Sequence, residues 1–122
     1  MTADEIGKKY VELVKAGKRD EVLSTLFSPD AVSVEPFPPP GRDRTSIGIE
    51  ALRGKSRFFL DNNIVHRDDI TGPYPHGDRF AVHFVFETTF KPTGQRRTRD
   101  EIGLFTVVDG KITREEFFYP AS

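Results

Sequence analysis

The last third of the sequence alternates between apolar and polar side chains in a way that predicts three consecutive antiparallel strands. Residues 79–91 are rich in aromatic and β-branched side chains, and the turn-forming residues 92–95 separate them from a similar run at 96–108. Asp109-Gly110 predicts a type I′ turn, because both central residues of that turn need positive φ angles. We therefore expect a third strand over residues 111–119.

The alternation also predicts which side chains share a face of this sheet. In the first hairpin we expect Lys91 to pair with Arg96. In the second we expect Val108 to pair with Lys111. The resulting face combines large apolar residues with four charged ones: Phe80, Val82, Phe84, Phe86, Arg99, Glu101, Gly103, Phe105, Val107, Ile112, Arg114, Glu116 and Phe118. The opposite face, which includes Leu104, is also too apolar for exposure to water, so we expect both faces to be covered, one of them by a second subunit.

Apolar positions at helical intervals predict three helices in the first half of the chain. The first begins with a capping box at Thr2 and ends near Gly17, since glycine readily adopts the positive φ of a helix end. The second covers residues 20–27, and Pro29-Asp30 closes it. The third covers residues 48–63.

Two strands and a proline-rich loop complete the predicted elements. Ala31–Glu35 forms a short strand that proline 36 ends or bends, because proline lacks the backbone donor of a sheet ladder. Residues 36–46 form the loop, and residues 64–71 form a strand before a turn cluster rich in glycine and proline. The chain is thus predicted to be one α+β domain over residues 1–122, with helices on one face of the sheet.

Composition narrows the classes of partner. The chain has 122 residues, 36% of them apolar, and is long enough to bury a core. Its net charge of −1 is spread over interspersed charges, which predicts neither nucleic-acid binding nor a membrane anchor. It has no cysteine, no long apolar run, three scattered histidines and no glycine-rich phosphate motif. We expect a cytoplasmic protein without metal or cofactor.

Three stretches in the first half resemble the Δ5-3-ketosteroid isomerases: residues 9–17, 27–36 and 48–52. The last hairpin, residues 105–112 together with 116–119, resembles the SnoaL-like polyketide cyclases. The order of elements resembles the cone-shaped α+β barrel of the nuclear transport factor 2-like superfamily. This resemblance implies a curved, mixed but mainly antiparallel sheet wrapped on three N-terminal helices.

The resemblance to the isomerases implies roles for two residues. Tyr10 falls where they keep an oxyanion-hole tyrosine, and Glu35, directly before a proline, falls where they keep the general base. Gly103 falls where they keep a second, acidic donor, so the resemblance implies proton abstraction next to a carbonyl without that donor. The residues themselves also fit a core tyrosine and a solvated strand end.

A second constellation consists of Arg99, Glu101 and Glu116. It resembles the acid, arginine, acid site of the limonene-1,2-epoxide hydrolases of the same superfamily. Such a site uses one carboxylate as base for a water, one protonated acid as donor, and an arginine that separates their pKa values. A surface ion network is the alternative, because a one-residue slip in register turns these side chains outward. We rank Glu35 ahead of Glu101 as the catalytic acid or base.

These patterns predict an apolar pocket between the strands and the helices. Its expected walls are Phe37, Phe59, Phe84, Phe86, Phe105 and Phe118, with the loop at residues 36–46 at its mouth. The leading function is a cofactor-independent isomerase, cyclase or hydrolase that acts on a small hydrophobic carbonyl or cyclic compound. The alternative is a noncatalytic binding or interaction module. A buried carboxylate with a raised pKa distinguishes the two, because only the enzyme requires it.

Overall fold

The computed structural model describes residues 1–39 and 41–120 as three helices packed on one six-stranded sheet. The elements are α1 (Ala3–Lys15), α2 (Arg19–Thr25), β1 (Phe27–Val34), β2 (Thr45–Ile47), α3 (Ile49–Asn62), β3 (Asn63–His76), β4 (Arg79–Phe90), β5 (Gln95–Val108) and β6 (Lys111–Phe118). The strand order is β2-β1-β6-β5-β4-β3, and the β1–β6 pair is parallel while the others are antiparallel. The predicted mixed, mainly antiparallel α+β architecture is confirmed.

Helix α1 begins as the sequence predicts. The side chain of Thr2 accepts a hydrogen bond from the backbone N–H of Glu5, and the Glu5 side chain accepts one from the backbone N–H of Thr2. This capping box satisfies two N–H groups that a helix start would otherwise leave free. The buried face of the helix carries Ile6, Tyr10 and Val14 at intervals of four residues, so all three pack into the core.

The inner face of the β4–β5 hairpin has the predicted side chains. Phe80 pairs with Phe105, and Phe84 pairs with Glu101. The turn lies one residue earlier than predicted, since Phe90 pairs with Gln95, and the partner of each β4 residue is therefore two residues earlier on β5. A shift of two residues keeps every side chain on its face, because side chains alternate with a period of two.

A β-bulge changes the register of β6. Val107 pairs with Ile112, whereas Thr106 pairs with Arg114, so Thr113 is an extra residue on β6. Its hydroxyl donates to the backbone carbonyl of Thr106 at 3.4 Å. An extra residue in one strand reverses the faces of all side chains beyond it.

The prediction that Glu116 and Phe118 share the inner face is therefore wrong. Beyond the bulge, Glu115 lies opposite Phe105 and Phe117 lies opposite Gly103, on the inner face. Glu116 and Phe118 lie on the outer face, where Phe118 is half exposed. The inner face still carries one acid and one phenylalanine of β6, but these are Glu115 and Phe117 instead of Glu116 and Phe118.

Three boundaries differ from the prediction. Strand β1 begins at Phe27 and includes Pro29, which the sequence predicted to close α2. Proline is accommodated there because the β1–β6 pairing is irregular between Phe27 and Val32. The predicted loop contains the start of β2, and its Pro40 lies outside the described residues. The predicted turn cluster after residue 71 instead continues β3, with an irregular pairing between Thr71 and Tyr74.

The core lies between α1 and the inner face of the sheet. The rings of Phe80 and Phe105, both fully buried, stack with centroids 4.8 Å apart. The ring of Tyr10 packs on Phe105 at 4.5 Å, so it anchors α1 to the sheet. Over the parts of the chain that the structure describes, no helix has the length and apolar character to cross a membrane.

Candidate functional site

A cavity of about 300 Å³ opens beyond this core, between the inner face of the sheet and the helices. Its wall is rich in aromatic side chains, and seven phenylalanines contribute: Phe27, Phe58, Phe59, Phe84, Phe86, Phe90 and Phe117. The volume falls in the range of pockets that bind small molecules. An apolar wall with a few polar side chains is typical of such pockets.

Three of the six predicted wall residues line this cavity, namely Phe59, Phe84 and Phe86. The other three do not. Phe105 is fully buried beneath the cavity in the core, Phe118 faces outward because of the bulge, and Phe37 is 42% exposed with its ring beside that of Tyr119. The loop at residues 36–46 does border the cavity, through Pro39 and Arg42.

Glu101 on β5 is buried in the wall of this cavity. Its Oε2 atom accepts no hydrogen bond from any described residue, and the nearest cation, Nε of Arg99, lies 3.8 Å away. Burial raises the pKa of Glu101 to about 7, opposed by the charge of Arg99 and reinforced by that of Glu35. A carboxyl group with this pKa both accepts and donates protons near neutral pH.

Glu35, just beyond the end of β1, has hydrogen-bond partners on both oxygens. Nζ of Lys55 on α3 donates to Oε2 at 2.6 Å, and the Tyr119 hydroxyl donates to Oε1 at 2.5 Å. The pKa of Tyr119 is raised, first by burial and then by this hydrogen bond, so its hydroxyl stays protonated. Glu35 is thus held in place by two donors, whereas Glu101 has a free oxygen.

The same lysine connects Glu35 to a third acid. Nζ of Lys55 donates to the hydroxyl of Ser33 at 2.7 Å, and that hydroxyl donates to Oε2 of Glu115 at 2.6 Å. Burial raises the pKa of Glu115, opposed mainly by the charge of Lys55. A continuous polar network therefore extends from Tyr119 through Lys55 to Glu115 inside an otherwise apolar site.

Sequence reasoning missed four members of this network: Ser33, Lys55, Glu115 and Tyr119. One signal was available for Lys55, which lies three residues after the buried Leu52 and four before Phe59, within the apolar stripe of α3. A lysine in such a stripe indicates a buried partner. Ser33 shares its strand face with Glu35, two residues later, so its position followed from alternation.

Tyr10 lines the cavity from α1. Burial raises its pKa well above the usual range, and the charge of Glu115 adds to this. The hydroxyl therefore stays protonated, and among the described residues it makes no hydrogen bond. It is available to donate to an oxygen atom of a bound molecule.

The structure brings Arg99 and Glu101 together but separates them from Glu116. The guanidinium of Arg99 lies over the ring of Tyr119, with Cζ 4.6 Å from the ring centroid. Glu116 instead accepts a hydrogen bond from Nε of Arg114 at 3.0 Å on the outer face. The predicted acid, arginine, acid site on neighbouring strands is therefore not formed, and Glu35 is the second acid near Arg99 and Glu101.

Gly103 leaves no room for the acid that the isomerase resemblance implies there. A Cβ atom at this position would lie 2.8 Å from the ring of Phe105 and 3.1 Å from that of Phe84. A second donor to a substrate oxygen has to come from elsewhere in the cavity. Lys55 has three N–H donors and uses two of them on Glu35 and Ser33, so one remains.

Within residues 1–39 and 41–120, no three histidine, aspartate or glutamate side chains are grouped as a metal ion would require. The three carboxylates of the cavity are arranged around Lys55 and Arg99 instead. Their chemistry is that of proton transfer and hydrogen bonding.

Ionisation of Glu101 is expected to reduce the stability of the protein as the pH rises. The carboxyl pKa is about 7 in the folded chain against an ordinary value of 4.5, so the folded state binds the proton more tightly. The free energy of unfolding should therefore fall between about pH 5 and pH 8, by about 2–3 kcal/mol from this group. Urea unfolding at both pH values measures the fall.

Glu115 also has a raised pKa, and the Glu101→Gln variant retains it. Comparing the variant with the wild type therefore isolates the contribution of Glu101. The variant should gain stability relative to the wild type at the higher pH and be close to it at the lower pH. The same pH dependence in both proteins would show that Glu101 ionises at its ordinary value.

Comparisons with known proteins show the family and the fold of this chain. The sequence matches the family model of the SnoaL-like domain over residues 1–119, and no curated protein matches it. Among solved structures, one from Mesorhizobium loti is 44% identical, with a TM-score of 0.90 over 98% of this chain and 100% of that chain. It is described as a candidate SnoaL-like polyketide cyclase and also as a carbohydrate phosphatase. The two descriptions name different chemistries.

More distant structures share the fold. A protein of unknown function with a cystatin-like fold from Xanthomonas campestris is 21% identical, with a TM-score of 0.78 over 100% of this chain and 92% of that chain. A nuclear transport factor 2-like protein from Burkholderia xenovorans is 18% identical, with a TM-score of 0.72 over 95% of this chain and 87% of that chain. At these identities the likeness establishes the fold alone.

Proposed function

The chain belongs to the SnoaL-like domain family, and from this premise we propose that it is a cofactor-independent isomerase or cyclase that acts by general acid–base catalysis on a small hydrophobic carbonyl compound. The observation that carries the proposal is Glu101: a buried carboxyl group with a free oxygen atom and a pKa of about 7, in the wall of an aromatic cavity. Perturbed carboxyl groups in such cavities mark candidate catalytic sites. Family membership supports the cyclase or isomerase class.

In this mechanism Glu101 removes a proton from the carbon next to the substrate carbonyl. The electron pair of the broken C–H bond forms an enolate, whose negative charge develops on the carbonyl oxygen. The protonated hydroxyl of Tyr10 and the remaining N–H of Lys55 are the donors in the cavity for that oxygen. Glu101 then returns the proton to a different carbon in an isomerisation. In a cyclisation, the enolate carbon attacks a second carbonyl of the substrate and the new alkoxide takes the proton.

The network around Glu35 has a positioning role in this proposal. Lys55 and Tyr119 each donate to one oxygen of Glu35, whereas Oε2 of Glu101 accepts no hydrogen bond from the described residues. Glu35 in turn fixes Lys55 in the cavity and raises the pKa of Glu101 by its charge. This ranking of the two acids reverses the one that the sequence favours.

A minimal reaction tests the proposal. The compound 2-tetralone is a small aromatic ketone with exchangeable protons next to its carbonyl, and proton NMR in D₂O follows their replacement by deuterium. The wild-type protein should accelerate this exchange above the rate in buffer that contains the same concentration of free carboxylate. Binding of 2-tetralone without any acceleration would favour the alternative, a noncatalytic pocket.

We also propose that two copies of the chain associate through the outer face of the sheet. This face exposes apolar side chains, with Ile102 at 39%, Val108 at 49% and Phe118 at 50%, around a partly buried Leu104. Contiguous apolar surface of this kind is typical of protein interfaces. The expected assembly is a homodimer of twice the 13.8 kDa chain.

The Leu104→Glu variant should be monomeric at micromolar concentration, because it places an unpaired charge in a desolvated interface. Sedimentation velocity measures this. Leu60→Glu is the matched control, since Leu60 is an exposed leucine on α3, away from this face. A wild-type protein that sediments only as a monomer would contradict the proposal.

A further inference from the structure

The cavity is lined by more positive than negative side chains. Five cationic residues contribute to its wall, Arg19, Arg42, Lys55, Arg97 and Arg99, against three acids, Glu35, Glu101 and Glu115. The chain as a whole has a net charge of −1, so positive charge is concentrated at this site. Because the pKa values of Glu101 and Glu115 are raised, the excess is larger still whenever either acid is protonated.

Two of the five cations already have acidic partners. Lys55 pairs with Glu35 at 2.6 Å, and Arg99 lies 3.8 Å from Glu101. The other three arginines have no carboxylate within 4.0 Å among the residues that the structure describes. The wall therefore has cationic groups without acidic partners.

Arg19 is the most available of these three. Its guanidinium lies over the ring of Phe59, with Cζ 5.8 Å from the centroid, an arrangement that leaves its N–H edges free. Arg42 also stacks on a phenylalanine but donates to the carbonyl of Gly54 at 3.3 Å, and Arg97 is exposed and donates to Gln95. Of these three arginines, only Arg19 donates no hydrogen bond to a described residue.

The charge of Arg19 also acts on the reactive part of the cavity. It lowers the pKa values of Tyr10, Glu101 and Glu115 against the effect of burial. All four residues line the same cavity, which is the geometric reason for this influence. A molecule bound in contact with Glu101 is then within the field of Arg19.

We propose that the substrate of this site carries a carboxylate, and that Arg19 binds it with its guanidinium while the aromatic wall holds the rest of the molecule. The inference rests on the proposed function for the location of the site and adds the class of substrate. A planar guanidinium matches a planar carboxylate with two parallel hydrogen bonds, and one positive charge balances one negative charge. The substrate is thus a hydrophobic keto acid or a similar monoanion.

Two probes that differ only in charge test this, naphthalene-2-carboxylate and naphthalene-2-carboxamide, with affinities measured by calorimetry at pH 7.5 and low salt. The carboxylate should bind about tenfold or more tighter than the amide, the size of one charge-assisted contact. Arg19→Gln should remove this preference and leave the amide affinity unchanged. Arg57→Gln, an exposed arginine of α3 outside the cavity wall, should keep the preference.

Equal affinity of the wild type for the two probes would overturn the inference and leave the acid–base proposal standing. An equal loss of affinity for both probes in the Arg19→Gln variant would also overturn the inference, since the arginine would then act only on the shape of the cavity. Neither probe has a hydrogen on the carbon next to its carbonyl group, so the result does not depend on catalysis. If neither probe binds, the inference fails, and the 2-tetralone exchange tests the proposed function separately.

Discussion

Replacing Glu101 with glutamine is expected to slow the protein-catalysed exchange of 2-tetralone by about a hundredfold or more, the usual range for loss of a general base. Glutamine keeps the size and planarity of the side chain but has no lone pair basic enough to take the proton. The substitution also removes a buried group that is costly to ionise, so it should not destabilise the fold at neutral pH. A loss of rate would therefore report on chemistry.

Glu116→Gln is the matched control for this prediction. Glu116 is the same residue type, lies near Glu101 in the sheet, and was a candidate for the same site before the bulge in β6 placed it on the outer face. Its replacement should leave the exchange rate unchanged. A large loss of rate in Glu116→Gln would contradict the described register.

The Glu35→Gln variant shows which of the two acids, Glu35 or Glu101, contributes more to the exchange rate. We expect a smaller effect than that of Glu101→Gln, because both oxygens of Glu35 already accept hydrogen bonds from Lys55 and Tyr119. A larger loss of rate for Glu35→Gln would restore the ranking that the isomerase resemblance implies. Near-neutral results for both variants, with binding intact, would favour a noncatalytic pocket.

The side chains on the inner face of the β4–β5 hairpin were predictable even though the predicted register was not the observed one. The turn lies one residue from its predicted place, which shifts every partner on β5 by two residues, yet Phe84 and Glu101 still share a face. Side chains repeat with a period of two, so an even displacement leaves the faces unchanged. The capping box at Thr2 was predictable for a different reason, since its contacts are all local in sequence.

The face of β6 could not be predicted from the sequence. Residues 115–118 read Glu-Glu-Phe-Phe, so either register places one acid and one phenylalanine on the inner face. The bulge at Thr113 has no glycine or proline to mark it. Only the pairing of β6 with both β5 and β1 decides the register, and those contacts are distant in sequence.

The hydrogen-bond network was difficult to predict for a related reason. Ser33 comes from β1 and Glu35 from just beyond its end, Lys55 from α3, and Glu115 from β6, so their contact depends on how three separate elements pack. Sequence patterns indicate the face on which a residue lies but not which residues on facing elements meet. Lys55 in an apolar helix stripe indicated a buried partner without identifying it.

Replacing Lys55 with methionine is expected to lower the free energy of unfolding by about 3 kcal/mol or more, the usual cost of removing one member of a buried ion pair. The side chains of Lys55 and Glu35 are only 19% and 10% exposed, so among the described residues the carboxylate of Glu35 would keep Tyr119 as its one donor. Methionine preserves most of the length of lysine, and a sulfur–aromatic contact with Phe117 would replace the cation–π contact that Nζ makes 5.1 Å from the ring centroid. Urea unfolding at pH 7 measures the change.

The double variant Glu35→Gln with Lys55→Met decides whether the loss comes from the stranded charge. If it does, removing the carboxylate as well should recover most of the stability, because neither buried charge then remains. Lys8→Met is the control for an exposed pair, since Lys8 and Asp4 are joined at 3.1 Å on the surface of α1, and it should change stability by less than about 1 kcal/mol. A double variant as unstable as Lys55→Met would show that the lysine stabilises the fold by packing, and that the polar network is not what fixes α3 against β1.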